Sequence, residues 1–180
     1  ETLAGGFIEI AVANMANALK NYYEIYILTS AYDLGETIPY NGVEQNQWHD
    51  QDGVLVKYMN EKALTASSVR GNILEISPDI LYLNSLFSRL FTITPLMVAN
   101  RKGIKVVLAP RGMLGQGALE IKRTKKGIFL FLAKLSGFYR KVLWHASTIQ
   151  EEEEIKSVFG SRARVFIAQN IPITQTKKLE

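Results

Sequence analysis

Residues 105–126 have the sequence KVVLAPRGMLGQGALEIKRTKK, a short apolar run followed by a glycine-spaced, cationic loop. The run at 106–109 is continuously apolar, as in a strand buried on both faces of a parallel sheet. It ends at Pro110, and Arg111 and Gly112 open the loop. Open α/β sheets bind ligands at the carboxyl ends of their strands. The stretch therefore predicts a ligand-binding loop around Arg111, with a plain strand-to-helix turn as the alternative.

Short apolar runs alternate with helix-period segments along the chain. Predicted strands cover residues 25–28, 54–59, 80–83, 105–109, 142–145 and 164–167, and predicted helices cover residues 8–21, 66–76, 87–101, 118–140 and 149–159. This alternation predicts βαβ units and a parallel sheet. We therefore predict an α/β fold: a Rossmann-like, doubly wound, mostly parallel sheet flanked by helices. It forms a single domain over residues 1–173, and residues 174–180 are a linker stump or tag remnant.

The chain begins on a predicted helix, with Gly5 and Gly6 before it. In a doubly wound sheet such a glycine loop follows the first strand. We therefore expect that the first strand is missing from the chain. The alternative is a sheet that begins with the strand at Ile25. A glycine pair before a helix could offer backbone amides to an anion, although no phosphate-loop lysine accompanies it.

Several local details of the elements are also predicted. Pro95 implies a kink in the helix over 87–101, or a restart with Thr94 as the N-cap. The basic helical region over 118–140 is expected to break near Gly127, and the polar segment 31–53 to hold a small hairpin. Thr148 and Glu151 fit a capping box, in which the threonine and the glutamate each accept a hydrogen bond from the other's backbone amide. The acidic run 151–154 is interpreted as a solvated helix start.

Composition excludes several kinds of site. The chain contains no cysteine, which excludes disulfides, thiolate metal sites and cysteine nucleophiles. Its two histidines are too few for a histidine-rich metal cluster, and we expect a structural role for His145 and none for His49. No stretch approaches the roughly 20 apolar residues of a membrane-spanning helix. These observations predict a cytoplasmic protein without a bound metal.

Charge is concentrated in one part of the sequence. Residues 101–141 carry eleven lysines and arginines and one acid, Glu120. Such a region attracts phosphates, nucleic acid or anionic lipid, and a plain solvated face is the simplest alternative. The aromatic residues are scattered rather than paired on a basic sheet face, so the stacking surface of an RNA-binding domain is not evident. We expect no nucleic-acid partner.

A set of short motifs occurs in chain order along most of the sequence. They are Gly5-Gly6, Ile27-Leu28-Thr29, residues 81–88, Ala109-Pro110-Arg111-Gly112-Met113-Leu114, Ala118-Leu119, Lys122, Lys125-Lys126, residues 145–148, Glu151 and Asn170-Ile171-Pro172. The most specific part is the Pro-Arg-Gly-Met-Leu segment with the downstream Ala-Leu and Lys-Lys pairs. Together these motifs resemble the N-terminal domain of a family 4, two-domain (GT-B fold) glycosyltransferase of the bacterial polysaccharide type.

The resemblance implies a retaining, hexosyltransferase-type enzyme that moves a sugar from a nucleotide-sugar donor to a glycan or lipid-linked acceptor. It implies no cofactor and no metal for the chemistry, and it assigns no catalytic residue in this chain. Donor binding would lie mainly in a C-terminal domain that this chain lacks, so the chain alone is predicted to be inactive. The implied contacts are Gly5 and Gly6 with the donor, Arg111 and Gly112 with the cleft, Asn84 and Ser85 with the acceptor, and Asn170 at the domain border.

Two further expectations concern a membrane partner and an alternative function. The basic region 122–141 contains Phe129, Leu130, Phe131 and Leu132, a combination that suits peripheral contact with anionic lipid at the inner face of the membrane. The alternative to a transferase is a stand-alone, flavodoxin-like module that binds a ligand without transferring a sugar.

Overall fold

The computed structural model describes residues 7–33, 35–120 and 123–171. The chain forms two compact units, one comprising Glu1–Leu64 with Asn170–Glu180 and the other Thr65–Gln169. A single domain over residues 1–173 stays a prediction, as does the strand expected before residue 1. The tail at 174–180 lies outside the described residues.

In the part of the first unit that the structure describes, there are one helix and three strands. These are α1 (Phe7–Leu19), β1 (Tyr26–Ser30), β2 (His49–Gln51) and β3 (Val54–Met59). Strand β3 lies between the other two, parallel to β1 and antiparallel to β2. The segment 31–53 therefore supplies only one strand of a hairpin, β2, and its partner β3 lies outside the segment that was expected to hold the hairpin. The turn between them contains Asp52 and Gly53, which both have positive φ. Buried side chains, among them Val54, Val56 and Tyr58, form the core of this unit.

The second unit is an all-parallel sheet flanked by helices. Its elements are α2 (Ala66–Ile76), β4 (Ile80–Leu83), a π-helical turn (Arg89–Ile93), α3 (Thr94–Lys102), β5 (Lys105–Leu108), α4 (Gln116–Glu120), α5 (Arg123–Leu135), β6 (Leu143–Ala146), α6 (Ile149–Phe159) and β7 (Arg164–Ile167). The strands lie in the order β4-β5-β6-β7, and every neighbouring pair is parallel. The predicted α/β, Rossmann-like fold is confirmed.

The core of the second unit is centred on Trp144 of β6, which is almost completely buried. Its ring stacks on Phe159 with the ring centroids 4.4 Å apart, and the centroids of the Trp144 and Tyr139 rings are 5.5 Å apart. The Tyr139 hydroxyl donates a hydrogen bond to the Leu86 carbonyl oxygen at 3.2 Å. Trp144 and Tyr139 are buried and Phe159 is partly buried, so this aromatic cluster covers the face of β6 that carries Trp144.

Pro95 is accommodated by a change of helix type. The chain forms a π-helical turn before α3, and Pro95 occupies the first turn of α3, where its missing N–H removes no hydrogen bond. The N-cap of the π turn is Ser88, whose hydroxyl accepts from the Phe91 amide at 3.1 Å. Thr94 instead donates to the Arg89 carbonyl at 2.9 Å, so Thr94 is not the N-cap. The irregularity was expected, but the predicted cap was wrong.

Helix α5 continues through Gly127, so the predicted break at that residue is wrong. A glycine inside a helix costs only about 1 kcal/mol. Burial of Leu130 and Ala133 against the core of the second unit offsets this cost. The helix ends at Leu135 rather than near residue 140, and Gly137 has positive φ in the turn that follows. Within the described residues no helix has the length and apolar character needed to cross a membrane.

Candidate functional site

Three parallel strands end at the same edge of the second sheet. Leu83 of β4 pairs with Leu108 of β5, which pairs with Trp144 of β6. Because the strands are parallel, the residues that follow their carboxyl ends meet at one edge, where open α/β sheets bind ligands. The structure brings together Asn84 after β4 and Arg111 after β5, as the sequence predicted for a cleft.

Arg111 is held in a fixed orientation. Its Nε and Nη2 donate to the Asn84 Oδ1 atom at 3.0 and 2.9 Å, and its Nη2 lies 3.4 Å from the Tyr82 hydroxyl oxygen. Both of these partners are neutral, so these hydrogen bonds orient the guanidinium, whose charge also acts on the Glu151 carboxylate. Arginine is a residue that binds phosphate and carboxylate groups, and Arg111 lies half-buried at this edge.

The backbone at Arg111 is unusual. Arg111 and Gly112 have φ of 53° and 71°, and the Met113 amide donates to the Pro110 carbonyl at 3.2 Å. Glycine adopts positive φ without a steric penalty, but an arginine rarely does. Such strained residues persist where the surrounding structure holds them, and they cluster at ligand-binding and active sites.

Glu151 supports this turn from helix α6. Glu151 is 6% exposed, and its carboxylate accepts from the Gly112 amide at 2.8 Å. It also accepts from the Ser147 amide and hydroxyl at 2.7 and 2.8 Å. Burial alone would raise the pKa of Glu151, but the hydrogen bonds from Ser147 and Gly112 and the charge of Arg111 hold it below the ordinary value. Glu151 is therefore an ionised group that fixes the Arg111 loop.

The prediction of a solvated helix start is therefore wrong for Glu151. The threonine half of the capping box is confirmed, since the Thr148 hydroxyl accepts from the Glu151 amide at 3.1 Å. The carboxylate reaches back one residue further than predicted, to Ser147. The reason is the Gly112 amide, which is 39 positions away in sequence and offers a second donor.

Tyr82 links Arg111 to a buried histidine. Its hydroxyl is hydrogen-bonded to Nδ1 of His145, whose Nε2 lies 2.7 Å from the Ala168 carbonyl oxygen. A carbonyl only accepts, so Nε2 carries a hydrogen, and in this tautomer Nδ1 is the acceptor for the Tyr82 hydroxyl. The ring of His145 also stacks on Phe166 at 5.1 Å. These contacts fit the structural role expected for His145. Burial raises the pKa of Tyr82, and the charge of Arg111 opposes the rise.

The other predicted site residues lie elsewhere or make local contacts. The Ser85 hydroxyl accepts from the Ser88 amide at 3.3 Å and lies 3.9 Å from Met113 Sδ, so it supports the turn after β4. Asn170 belongs to the first unit, at the point where the chain leaves the second. Gly5 and Gly6 lie outside the described residues. The roles predicted for these residues stay predictions: Ser85 as an acceptor contact, Asn170 as a residue at a domain border, and Gly5 and Gly6 as donor contacts.

A polar cavity of about 530 Å³ follows the Arg111 loop. It lies against the start of α6 and is lined by Gly115, Gly117, Ala118, Gln150, Glu153 and Glu154. Its volume falls within the range of small-molecule sites. The Gln150 amide donates to Glu154 Oε1 at 3.1 Å, which orders part of the lining. Carboxylates and an amide suit a ligand that offers many hydroxyl donors.

Sequence analysis missed Tyr82 and Glu151 as parts of this site. Tyr82 could have been found, because Asn84 was already a candidate and residues two apart in an extended segment point to the same side. Glu151 carried no separate indication, since its capping-box position explained it fully. Among the residues that the structure describes, no group of three or more histidine, aspartate or glutamate side chains could hold a metal ion.

Three comparisons complete the description of the site. Neither the protein-family models, nor the curated proteins, nor the solved structures give a match to this chain.

Proposed function

We propose that this chain supplies the acceptor-binding half of a retaining glycosyltransferase. The enzyme would transfer a sugar from a nucleotide-sugar donor to a glycan or lipid-linked acceptor in polysaccharide biosynthesis. The observation that carries the proposal is Arg111, held by Asn84 and Tyr82 at the carboxyl edge of a parallel sheet beside a polar cavity. This edge is where α/β folds of this kind place their ligands.

The arginine supports the recognition of a phosphate-bearing ligand. Donor nucleotide sugars and many lipid-linked acceptors carry a diphosphate, and a planar guanidinium matches phosphate oxygens with two donors. Asn84 and Tyr82 fix the side chain before a ligand arrives, which lowers the conformational entropy lost on binding. The strained turn at Arg111 and Gly112 and the Glu151 carboxylate serve the same preorganisation.

The cavity supports the recognition of a sugar. Gln150, Glu153 and Glu154 offer amide and carboxylate oxygens that accept hydrogen bonds from hydroxyl groups. Carboxylates would repel a phosphate, so the two parts of the edge suit different parts of one ligand. A glycan whose hydroxyl groups lie against α6 and whose phosphate lies near Arg111 would satisfy both.

The test measures sugar transfer by the product of the whole reading frame that encodes this chain, against a panel of nucleotide sugars. Arg111→Ala is expected to lower kcat/KM by about 100-fold, because it removes the oriented charge. Arg111→Lys should recover only part of the loss, since an ammonium cannot form two parallel hydrogen bonds. The matched control is Arg101→Ala, an exposed arginine in the last turn of α3, which should leave kcat/KM unchanged.

Two outcomes would contradict the proposal. Unchanged turnover of the Arg111→Ala variant would remove Arg111 from the site. Glycan or phosphate binding that depends on Arg111, without transfer from any donor, would favour the stand-alone ligand-binding module. Calorimetry on the 180-residue chain measures whether binding depends on Arg111, and the transfer assay on the product of the whole reading frame separates a transferase from a ligand-binding module.

A further inference from the structure

Helix α5 carries apolar side chains on the face opposite the core. Leu130 and Ala133 are buried, whereas four other apolar residues are more than half exposed: Ile128 (57%), Phe131 (66%), Leu132 (56%) and Leu135 (76%). Their spacing of three, four and seven residues from the first places them on one face of the helix. We call these four residues the outer face of α5. A contiguous exposed apolar patch is uncommon on a soluble protein and marks an interaction surface.

An apolar groove adjoins the outer face. It has a volume of about 560 Å³ and lies between α5, Ile93 and Phe138. Leu132 and Leu135 line the groove and also belong to the outer face, so the two form one continuous apolar surface. A cleft open beside an exposed helix offers a place for a flexible hydrocarbon chain.

Cations border this surface on both sides. With 3.6 residues per turn, Lys125 and Lys134 lie about 70° and about 110° from the centre of the outer face, on opposite flanks. Both are exposed, as are Arg140 and Lys141 in the segment after the helix. The sequence has no acidic residue between Glu120 and Glu151. The surface is therefore apolar in the middle and cationic at its margin.

We propose that the outer face of α5 docks on an anionic lipid bilayer, with Phe131 and Leu135 inserted at the boundary between headgroups and acyl chains. A bilayer supplies both an apolar interior and a negative surface, which match the two parts of this surface. A second copy of the chain would instead bring the same cations together with no intervening acid. The inference stands on α5, the adjoining groove and the neighbouring cations, and does not rest on the proposed function. It would also bring a lipid-linked acceptor to the protein.

The apolar contribution is tested by sedimentation of the 180-residue chain with vesicles of phosphatidylcholine, with and without about 30% phosphatidylglycerol. Binding is expected only with the anionic lipid. The double variant Phe131→Ser/Leu135→Ser should weaken it at least about tenfold, since each side chain loses its burial in the bilayer. The matched control is Ile149→Ser, because Ile149 is equally exposed (68%) but lies beside the acidic start of α6. This control should bind as the parent does.

The electrostatic contribution is tested with Lys125→Glu/Lys134→Glu, which should weaken binding by about tenfold or more. The control is Lys102→Glu/Lys105→Glu, which makes the same charge change at exposed residues outside α5. Raising the salt to about 1 M should weaken binding of the parent chain. Circular dichroism checks that each variant keeps the helical content of the parent.

Three results would overturn the proposal. The first is no binding to anionic vesicles at low salt, and the second is equal loss of binding in the variants and their controls. The third is a dimer in sedimentation velocity that Phe131→Ser/Leu135→Ser dissociates, which would assign the outer face to contact between two copies of the chain.

Discussion

The carboxyl edge of the β4–β7 sheet and the outer face of α5 lie in the same unit and depart from ordinary burial in opposite ways. At the sheet edge, polar groups such as Glu151 and His145 are buried. On α5, large apolar groups such as Phe131 are exposed. Buried polar groups and exposed large apolar groups both need an explanation, because buried apolar and exposed polar residues follow from the hydrophobic effect alone. The two regions differ in whether the chain itself supplies the interaction partners of these groups.

At the sheet edge, the buried polar groups have hydrogen-bond partners within the chain. Glu151 accepts three hydrogen bonds, and both ring nitrogens of His145 have partners. Among the described residues, nothing covers the apolar side chains on the outer face of α5, which are more than half exposed to solvent. Substitutions at the edge should therefore change the stability of the protein itself. Substitutions on the outer face should change only what it binds.

The largest effect is expected for Glu151→Ala. The substitution removes the ionised acceptor of three hydrogen bonds, one from Gly112 and two from Ser147, which should lower the free energy of unfolding by about 3–4 kcal/mol. Urea denaturation followed by circular dichroism measures the change. The control is Glu152→Ala, which removes a surface pair with Lys156 at 2.7 Å and should cost about 0.5 kcal/mol or less. Equal losses in the two variants would mean that Glu151 does not hold the Arg111 loop.

Lowering the pH should remove part of the stabilisation by the Glu151 carboxylate without a mutation. The pKa of Glu151 is lower in the folded protein than its ordinary value of 4.5, so the unfolded chain binds its proton first as the pH falls. The stabilisation is therefore fully present above about pH 5 and is lost as the pH falls through the folded pKa. Unfolding free energies measured at intervals of about one pH unit between about pH 6 and about pH 3 should fall less steeply for Glu151→Gln than for the parent. Parallel curves would assign the acid sensitivity to other carboxyl groups.

Two neighbouring residues of α5 test the comparison directly. Leu130→Ala should cost about 3 kcal/mol, because it opens a cavity in the core of the second unit. Phe131→Ala, at the next position but exposed, should change the stability by less than about 0.5 kcal/mol. Thermal and urea unfolding of both variants provide the measurement. A large loss for Phe131→Ala would show that the outer face is covered within the folded protein.

A smaller effect is expected for Tyr82→Phe. The change removes the hydroxyl that donates to Nδ1 of the buried His145 and lies near Arg111. One buried acceptor then loses its donor, so the free energy of unfolding should fall by about 1.5 kcal/mol. The control is Tyr22→Phe, because Tyr22 is 79% exposed in the first unit. If both variants unfold at the same urea concentration as the parent, the Tyr82 hydroxyl does not support the site.

The elements of the fold were predictable because each depends on a local pattern. Apolar runs predicted the strands at 54–59 and 80–83 within a residue or less, and Thr148 predicted the start of α6. A parallel sheet also implies that Asn84 and Arg111 meet, since both follow strand ends. These expectations needed only periodicity, capping and topology.

The contacts that complete the site were not predictable in the same way. Glu151 bonds to a residue 39 positions away, and Tyr82 to one 63 positions away. A sequence pattern records neither distance nor the direction of a side chain. The segment GIFLFLAKL is apolar around nearly the whole helix, so its periodicity could not show which face of α5 is buried. Only the packing of Leu130 and Ala133 identifies the outer face.

The smallest effects come from two glycines and should differ in sign. Gly112→Ala places a side chain at φ 71°, and although no atom lies within 4 Å of the added Cβ, the left-handed backbone should cost about 1 kcal/mol. Gly127→Ala adds a Cβ to the interior of α5, where no atom lies within 4 Å either, and should stabilise the protein by about 0.5–1 kcal/mol. Because space is open at both sites, the sign depends on the backbone alone. A gain in stability for Gly112→Ala would show that the turn relaxes without cost, and the strain at Arg111 would then no longer support preorganisation of the sheet edge.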